Sequence, residues 1–138
     1  MKPLFTTAAT SQGGRDGRVV SEDGVIDLDV RAPKEMGGPG GHATNPEQLF
    51  AAGYSTCFNS ALNLVIRKER VSTGNPEVTA NVSIGKDSDG GYGLAAKLQI
   101  KIPDVDRETA QKLVKEASKV CPYAKATRGN IEVEYEVL

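Results

Sequence analysis

Two cysteines are the most reactive side chains of this 138-residue chain, which contains one histidine and no tryptophan. Cys57 lies in an uncharged, mostly apolar segment. Cys121 immediately precedes a proline, at a helix exit where we expect it to be accessible to a partner thiol. A thiol close to a cation ionises to a nucleophilic thiolate, and a second thiol within reach makes the pair a redox couple. The cysteines are 64 positions apart, so only the fold can bring them together.

Both cysteines also have an ordinary structural interpretation. Cys57 would then be a small apolar residue in a buried helix, and Cys121 a harmless residue at a helix end. Uncharged polar groups around Cys57 argue against this, because such groups are costly in a core and natural around a pocket. They are Tyr54, Ser55, Thr56, Asn59, Ser60 and Asn63. Two cysteines and one histidine are too few for a tetrahedral zinc site without carboxylates, so we expect no metal.

Three charged or titratable residues could assist a thiol. Arg15 lies among glycines in the segment 13–18, which is either a solvated turn or a loop that places the guanidinium over a pocket. A guanidinium favours a neighbouring thiolate and can bind a substrate oxygen. Glu47 could orient Arg15 through a bidentate pair. His42 could act as a base for Cys57, but its glycine-rich loop does not argue for fixed geometry.

A long helix should position Cys57. Asn45 is a good N-cap, Pro46 suits the first helical position, and the pattern continues to about Arg70. No charged residue occurs from position 49 to position 66. We therefore expect a central helix that is buried on most faces, against a sheet or against another subunit.

The remaining pattern predicts an α+β fold. Position 122 should end a second helix that Asp106 caps. The predicted strands cover 3–10, 19–20 with 24–30, 77–86, 93–102 and 130–138, with a loop over 31–44, a hairpin turn at 87–91 and the second helix over 107–119.

Composition places the chain among ordinary soluble proteins with a single domain, residues 1–138. Apolar residues make up 38%, charged residues 25%, and the net charge is -1. We therefore expect no nucleic acid or membrane partner, no targeting segment and no stretch long enough to span a membrane. A cytoplasmic location would make a permanent disulfide unusual, so any pairing of the cysteines should be transient and catalytic.

The order of motifs closely resembles that of the organic hydroperoxide resistance proteins of the OsmC-like superfamily. The resemblance covers the whole chain. The motifs are the glycine–arginine loop 13–18, the glycines of 37–41, the stretch 45–54 with Cys57, the segment 120–123 and the segment 126–130.

This resemblance implies antiparallel sheets around a central buried helix in an intertwined homodimer with two active sites at the subunit interface. It also implies a bacterial thiol peroxidase without a cofactor. Cys57 would be the peroxidatic thiolate, Cys121 the resolving thiol, and Arg15 and Glu47 the pair that activates Cys57. The implied reductant is a dihydrolipoyl group on a partner protein.

The chemistry implied is a peroxidase cycle. The Cys57 thiolate attacks the peroxide and becomes a sulfenic acid, Cys121 condenses with it to a disulfide, and a dithiol restores both thiols. The aromatic residues Phe50, Tyr54 and Phe58 would favour alkyl or fatty acyl hydroperoxides over hydrogen peroxide.

Helix geometry adds a constraint that does not depend on the resemblance. Glu47 and Cys57 are ten residues apart on one predicted helix, which is roughly 15 Å at 1.5 Å per residue. Glu47 therefore cannot reach the cysteine of its own helix. Either Glu47 has no role, or the site combines two chains.

Two other functions remain open from the residues alone. The chain could be a carrier or sensor of apolar ligands whose cysteines are incidental, although this leaves the presence of Arg15 and two thiols unexplained. It could also be a redox-regulated hydrolase with Cys57 as acyl nucleophile, against which the single, poorly placed histidine argues. Thiol loss on addition of an organic hydroperoxide separates these possibilities.

Overall fold

Two three-stranded sheets and three α-helices form the α+β fold that the sequence predicts. The computed structural model describes all residues from Met1 to Leu138. They divide into two units, Met1–Leu49 and Phe50–Leu138. In chain order the elements are β1 (Ala9–Gln12), β2 (Asp16–Ser21), β3 (Asp27–Arg31), a 3-10 turn (Lys34–Met36), α1 (Pro46–Glu69), β4 (Glu77–Lys86), β5 (Tyr92–Lys101), α2 (Arg107–Val120), α3 (Pro122–Thr127) and β6 (Glu132–Val137).

The sheet of the first unit is antiparallel, in the order β1-β2-β3. The predicted strand over 3–10 is wrong in its bounds, because only Ala9–Gln12 pairs with β2. The Ala8 carbonyl still accepts from the Glu22 N–H (2.9 Å), but residues 1–7 lie outside any strand.

The sheet of the second unit has the order β4-β5-β6 and is mixed. β4 and β5 form the predicted antiparallel hairpin, whereas β6 runs parallel to β5. This differs from the antiparallel arrangement expected from the resemblance. The connection from β5 to β6 carries two helices, which is the length of chain that a parallel crossover requires.

The core of the second unit lies between this sheet, α1 and α2. Leu98 and Ile100 alternate with less buried neighbours along β5 and are fully buried. α2 contributes one stripe, as its sequence predicts, and the Asp106 side chain caps it by accepting from the Thr109 N–H (3.1 Å). The stripe consists of Ala110, Leu113, Val114 and Ala117.

α1 begins where its sequence predicts, with the Asn45 side chain accepting from the Gln48 N–H (2.8 Å). One face of the helix is buried in the core, including Tyr54, Phe58 and Leu62. Burial on most faces is expected against a sheet or another subunit, and in the single chain one stripe, spaced by four residues, remains exposed. This stripe consists of Ala52, Thr56, Ser60 and Leu64.

α1 also corrects the expectation that no segment is long enough to cross a membrane. The helix has 24 residues, and an 18-residue window reaches a mean hydropathy of 1.3, with 33% of that window buried. Length and composition alone would therefore admit a membrane span. A single helix of this kind is weak support for one, because the core helices of soluble proteins have the same length and composition.

Candidate active site

The two cysteines of the second unit meet in space. Both are free thiols, and their Sγ atoms are 3.7 Å apart. A disulfide requires a separation of about 2.05 Å between the sulfur atoms. The reduced pair therefore needs only a small displacement to become a disulfide.

The surroundings of Cys121 differ from those expected. Its sequence position suggested an accessible helix exit, but the residue is fully buried, whereas Cys57 is partly exposed. The reason is α3, a six-residue helix that the sequence analysis missed. Pro122 not only ends α2 but occupies the first turn of α3, a position that suits proline.

Cys121 joins these two helices. Its backbone N–H donates to the Ala117 carbonyl and ends α2 (2.9 Å), and its thiol accepts from the Ala124 N–H at the start of α3 (3.4 Å). Burial raises the pKa of the Cys121 thiol, the Ala124 N–H opposes this effect, and the neighbouring Cys57 adds to it. Cys121 therefore remains a protonated thiol at neutral pH.

Arg15 and Glu47 of the first unit form the bidentate pair that the sequence suggests. Arg15 Nη1 donates to Glu47 Oε2 (2.8 Å) and Arg15 Nη2 to Glu47 Oε1 (2.5 Å). The hydrogen bonds from Arg15 lower the pKa of Glu47, with partial burial opposing them. The Glu47 carboxylate is therefore charged at neutral pH and fixes the guanidinium plane.

Glycines shape the loop that carries Arg15. The Asp16 N–H donates to the Gly13 carbonyl (3.0 Å), and Gly13 has a φ of 81°. A Cβ at Gly17 would lie 1.8 Å from the Gln12 carbonyl oxygen. The loop therefore needs glycine at both positions to hold Arg15 where Glu47 can bind it.

Two of the predicted substrate residues, Phe50 and Tyr54, belong to one aromatic group, whereas the Phe58 ring packs against Tyr135 at a centroid distance of 5.5 Å. Tyr54 and Phe58 are fully buried, and Phe50 is half-buried. Tyr123, which the sequence analysis did not single out, packs against Phe50 and Tyr54 at ring centroid distances of 6.2 and 5.8 Å. Tyr54 and Phe58 are therefore core residues of the single chain, and Phe50 and Tyr123 present the more accessible rings.

One further polar contact escaped the sequence analysis. The Tyr54 hydroxyl lies 3.0 Å from the Thr127 hydroxyl, and both residues are buried.

His42 is exposed in the loop before α1. No group of three or more His, Cys, Asp or Glu side chains is arranged to hold a metal ion.

The chain matches known proteins over most of its length. The sequence model of the OsmC-like protein family matches residues 38–136. The organic hydroperoxide resistance protein OhrA of Bacillus subtilis is 53% identical, over 99% of this chain and 97% of the relative.

Solved structures agree with these sequence matches. An organic hydroperoxide resistance protein from Elizabethkingia anophelis has a TM-score of 0.95 at 53% identity, covering 99% of this chain and 98% of the other. OhrB of Bacillus subtilis has a TM-score of 0.90 at 45% identity, covering 99% of this chain and all of the other. The chain therefore belongs to the organic hydroperoxide resistance proteins of the OsmC-like family.

Proposed function

We propose that this chain is a thiol peroxidase that reduces organic hydroperoxides to alcohols. The single observation that carries the proposal is the 3.7 Å separation of two free thiols, one partly exposed and the other buried. The names of the relatives supply the substrate class, since these proteins are described as conferring resistance to organic hydroperoxides.

In the first step the Cys57 thiolate attacks the distal oxygen of the hydroperoxide. The O–O bond breaks, the alkoxide takes up a proton and leaves as the alcohol, and Cys57 becomes a sulfenic acid. We assign this step to Cys57 because this residue is partly exposed, whereas Cys121 is buried. The half-buried Phe50 ring, which packs against Tyr54, and Phe58, which follows Cys57 in the chain, favour an alkyl or fatty acyl chain over hydrogen peroxide.

In the second step Cys121 attacks the sulfenic sulfur and water leaves, which produces a Cys57–Cys121 disulfide. An external dithiol then reduces this disulfide by exchange, and we propose a dihydrolipoyl group on a partner protein as the donor. The burial of Cys121 leaves Cys57 as the sulfur that an external thiol can reach. No resident cofactor is needed for the cycle, and the free thiols suit the reducing cytoplasm.

We propose that Arg15 and Glu47 complete the site from the other subunit of a homodimer. Arg15 would stabilise the thiolate and the leaving alkoxide, and Glu47 would orient Arg15. Glu47 and Cys57 lie on the unbroken helix Pro46–Glu69, so their separation along its axis is roughly 15 Å. In this arrangement residues 1–138 act as one domain, and each site uses both chains.

The test is a thiol balance under anaerobic conditions. Fully reduced protein is mixed with less than one equivalent of cumene hydroperoxide, and free thiols and alcohol are counted. We expect two thiols to be lost and one alcohol formed per hydroperoxide, with the disulfide joining residues 57 and 121. An apolar-ligand carrier would lose no thiols, and a hydrolase would instead release acid from an ester or amide substrate.

A further inference from the structure

The short helix α3 is attached to α1 at two points. At its beginning the Cys121 sulfur lies 3.7 Å from that of Cys57, and at its last residue the Thr127 hydroxyl lies 3.0 Å from that of Tyr54. Tyr54 and Cys57 are three residues apart on α1, so both contacts lie on one side of that helix. The sulfur contact lies at the α2 end of α3, and the hydroxyl contact holds its other end against α1.

The Thr127 hydroxyl has two hydrogen-bond partners, the Tyr54 hydroxyl and the Ala124 carbonyl (3.2 Å). It has a single proton, so when Thr127 donates to Ala124, Tyr54 is the donor to Thr127. The Tyr54 hydroxyl also faces Tyr135. The pKa of Tyr135 is raised above its usual value, mainly by burial and further by the Tyr54 hydroxyl. Tyr54 is fully buried and Thr127 is 6% exposed, so water cannot readily replace this hydrogen bond.

Disulfide formation makes strict demands on the position of Cys121. The Cys121 sulfur must bond to the Cys57 sulfur as the sulfenic oxygen departs, and the thiol proton leaves with that oxygen as water. The sulfur atoms must close from 3.7 Å to about 2.05 Å. Cys121 is the N-cap of α3, so a displacement of α3 relative to α1 changes the distance between the two sulfur atoms.

We propose that the Tyr54–Thr127 hydrogen bond positions the Cys121 thiol for disulfide formation. Thr127 is thus a positioning residue for the second step and has no part in the attack on the peroxide. This inference rests on the proposed function, because it concerns the resolving step of the same cycle.

The first experiment separates the two steps by rapid mixing of reduced protein with cumene hydroperoxide. Thr127→Val removes the hydroxyl at nearly constant volume, and Thr127→Ser, which retains a hydroxyl, is the matched control. We expect Thr127→Val to consume the first equivalent of hydroperoxide within about twofold of the wild-type rate but to form the disulfide about threefold to tenfold more slowly, the range that one hydrogen bond supplies. With excess hydroperoxide this variant should also accumulate Cys57 sulfinic acid, and Thr127→Ser should behave as the wild type.

A second measurement does not depend on peroxide chemistry. The Cys57–Cys121 disulfide is equilibrated with reduced and oxidised glutathione, which gives the effective concentration of one thiol beside the other. Thr127→Val and Tyr54→Phe should each lower this value about threefold to tenfold, and the double variant should lower it no further than either single variant. Tyr54→Phe leaves the bond from Thr127 to Ala124 in place, so it provides the same test if Thr127→Val does not fold.

The two measurements distinguish this inference from the proposed function. If the wild type forms a disulfide in glutathione but consumes no hydroperoxide, the proposed function fails while the glutathione comparison still decides the positioning role. The inference is overturned if Thr127→Val has the same effective thiol concentration and the same rate of disulfide formation as the wild type. An equal loss in Thr127→Ser also overturns it, because the hydroxyl would then not be the cause.

Discussion

Arg15 and Glu47 bind each other through both guanidinium Nη atoms and both carboxylate oxygens, at 2.8 and 2.5 Å. The two residues are 32 positions apart, so the pair joins the glycine loop before β2 to the first turn of α1. The Arg15 side chain is 33% exposed and that of Glu47 12%. A guanidinium held in this way has one defined plane and retains exposed surface for another ligand.

The first prediction concerns the pH dependence of this pair. Because Arg15 lowers the pKa of Glu47 in the folded protein, the pair stabilises the fold above the pKa of an unfolded glutamate, near 4.3. This stabilisation should disappear as the pH falls through the lower folded pKa. Urea unfolding should show Glu47→Gln less stable than the wild type by about 0.5–1 kcal/mol at pH 7, a small value because solvent screens the pair. If the difference in the free energy of unfolding between Glu47→Gln and the wild type remained constant down to pH 3, the lowered pKa of Glu47 would be contradicted.

The second prediction is that Arg15 accelerates the attack on the hydroperoxide. Arg15→Ala should slow the first turnover by about 100-fold, as the loss of one charged donor at a developing anion does. Arg15→Lys should recover only part of the rate, because the planar fork is lost. The measurement is the stopped-flow rate of sulfenic acid formation.

Arg18 offers a matched control for this test. It lies in β2, has the same charge, and is paired with Asp27 and Asp29 at 2.6 Å on the exposed surface. Arg18→Ala removes one positive charge from the same part of the chain and should leave the rate unchanged. Equal slowing in both variants would show that only net charge matters.

The local elements of this fold were readable from the sequence. Asn45 and Asp106 begin their helices as predicted, because an N-cap depends on residues within one turn. Strands β4 and β5 were likewise recognisable from alternation and an intervening turn. These features depend only on neighbours in the chain.

The features that the sequence did not predict are a short helix and contacts between residues far apart in the chain. α3 has six residues, too few for a helical period to show, and its start at Pro122 resembles a simple helix stop. The burial of Cys121 and its 3.7 Å approach to Cys57 follow from the packing of α2 and α3. The bond from Tyr54 to Thr127 spans 73 positions and carried no signal in the sequence.

The third prediction separates the roles of the two cysteines. Cys57→Ser should consume no hydroperoxide, because the remaining thiol is buried and protonated at neutral pH. Cys121→Ser should reduce one equivalent at the wild-type rate, then stop as a sulfenic acid that excess hydroperoxide oxidises further. Intact-mass spectrometry distinguishes the oxidised products. An equal first turnover in Cys57→Ser and the wild type would exclude Cys57 as the nucleophile.

The fourth prediction is that each active site uses two chains. When Glu47→Ala and Cys57→Ser chains, each inactive alone, exchange subunits, one site of every mixed dimer regains both groups. Random exchange of equal amounts should therefore restore about a quarter of the wild-type activity. The pairing within one chain supplies the negative control: Arg15→Ala mixed with Glu47→Ala should recover nothing, since no chain then carries an intact pair. Native mass spectrometry verifies the exchange, and a monomeric protein, or verified exchange without recovery in the first mixture, would exclude the shared site.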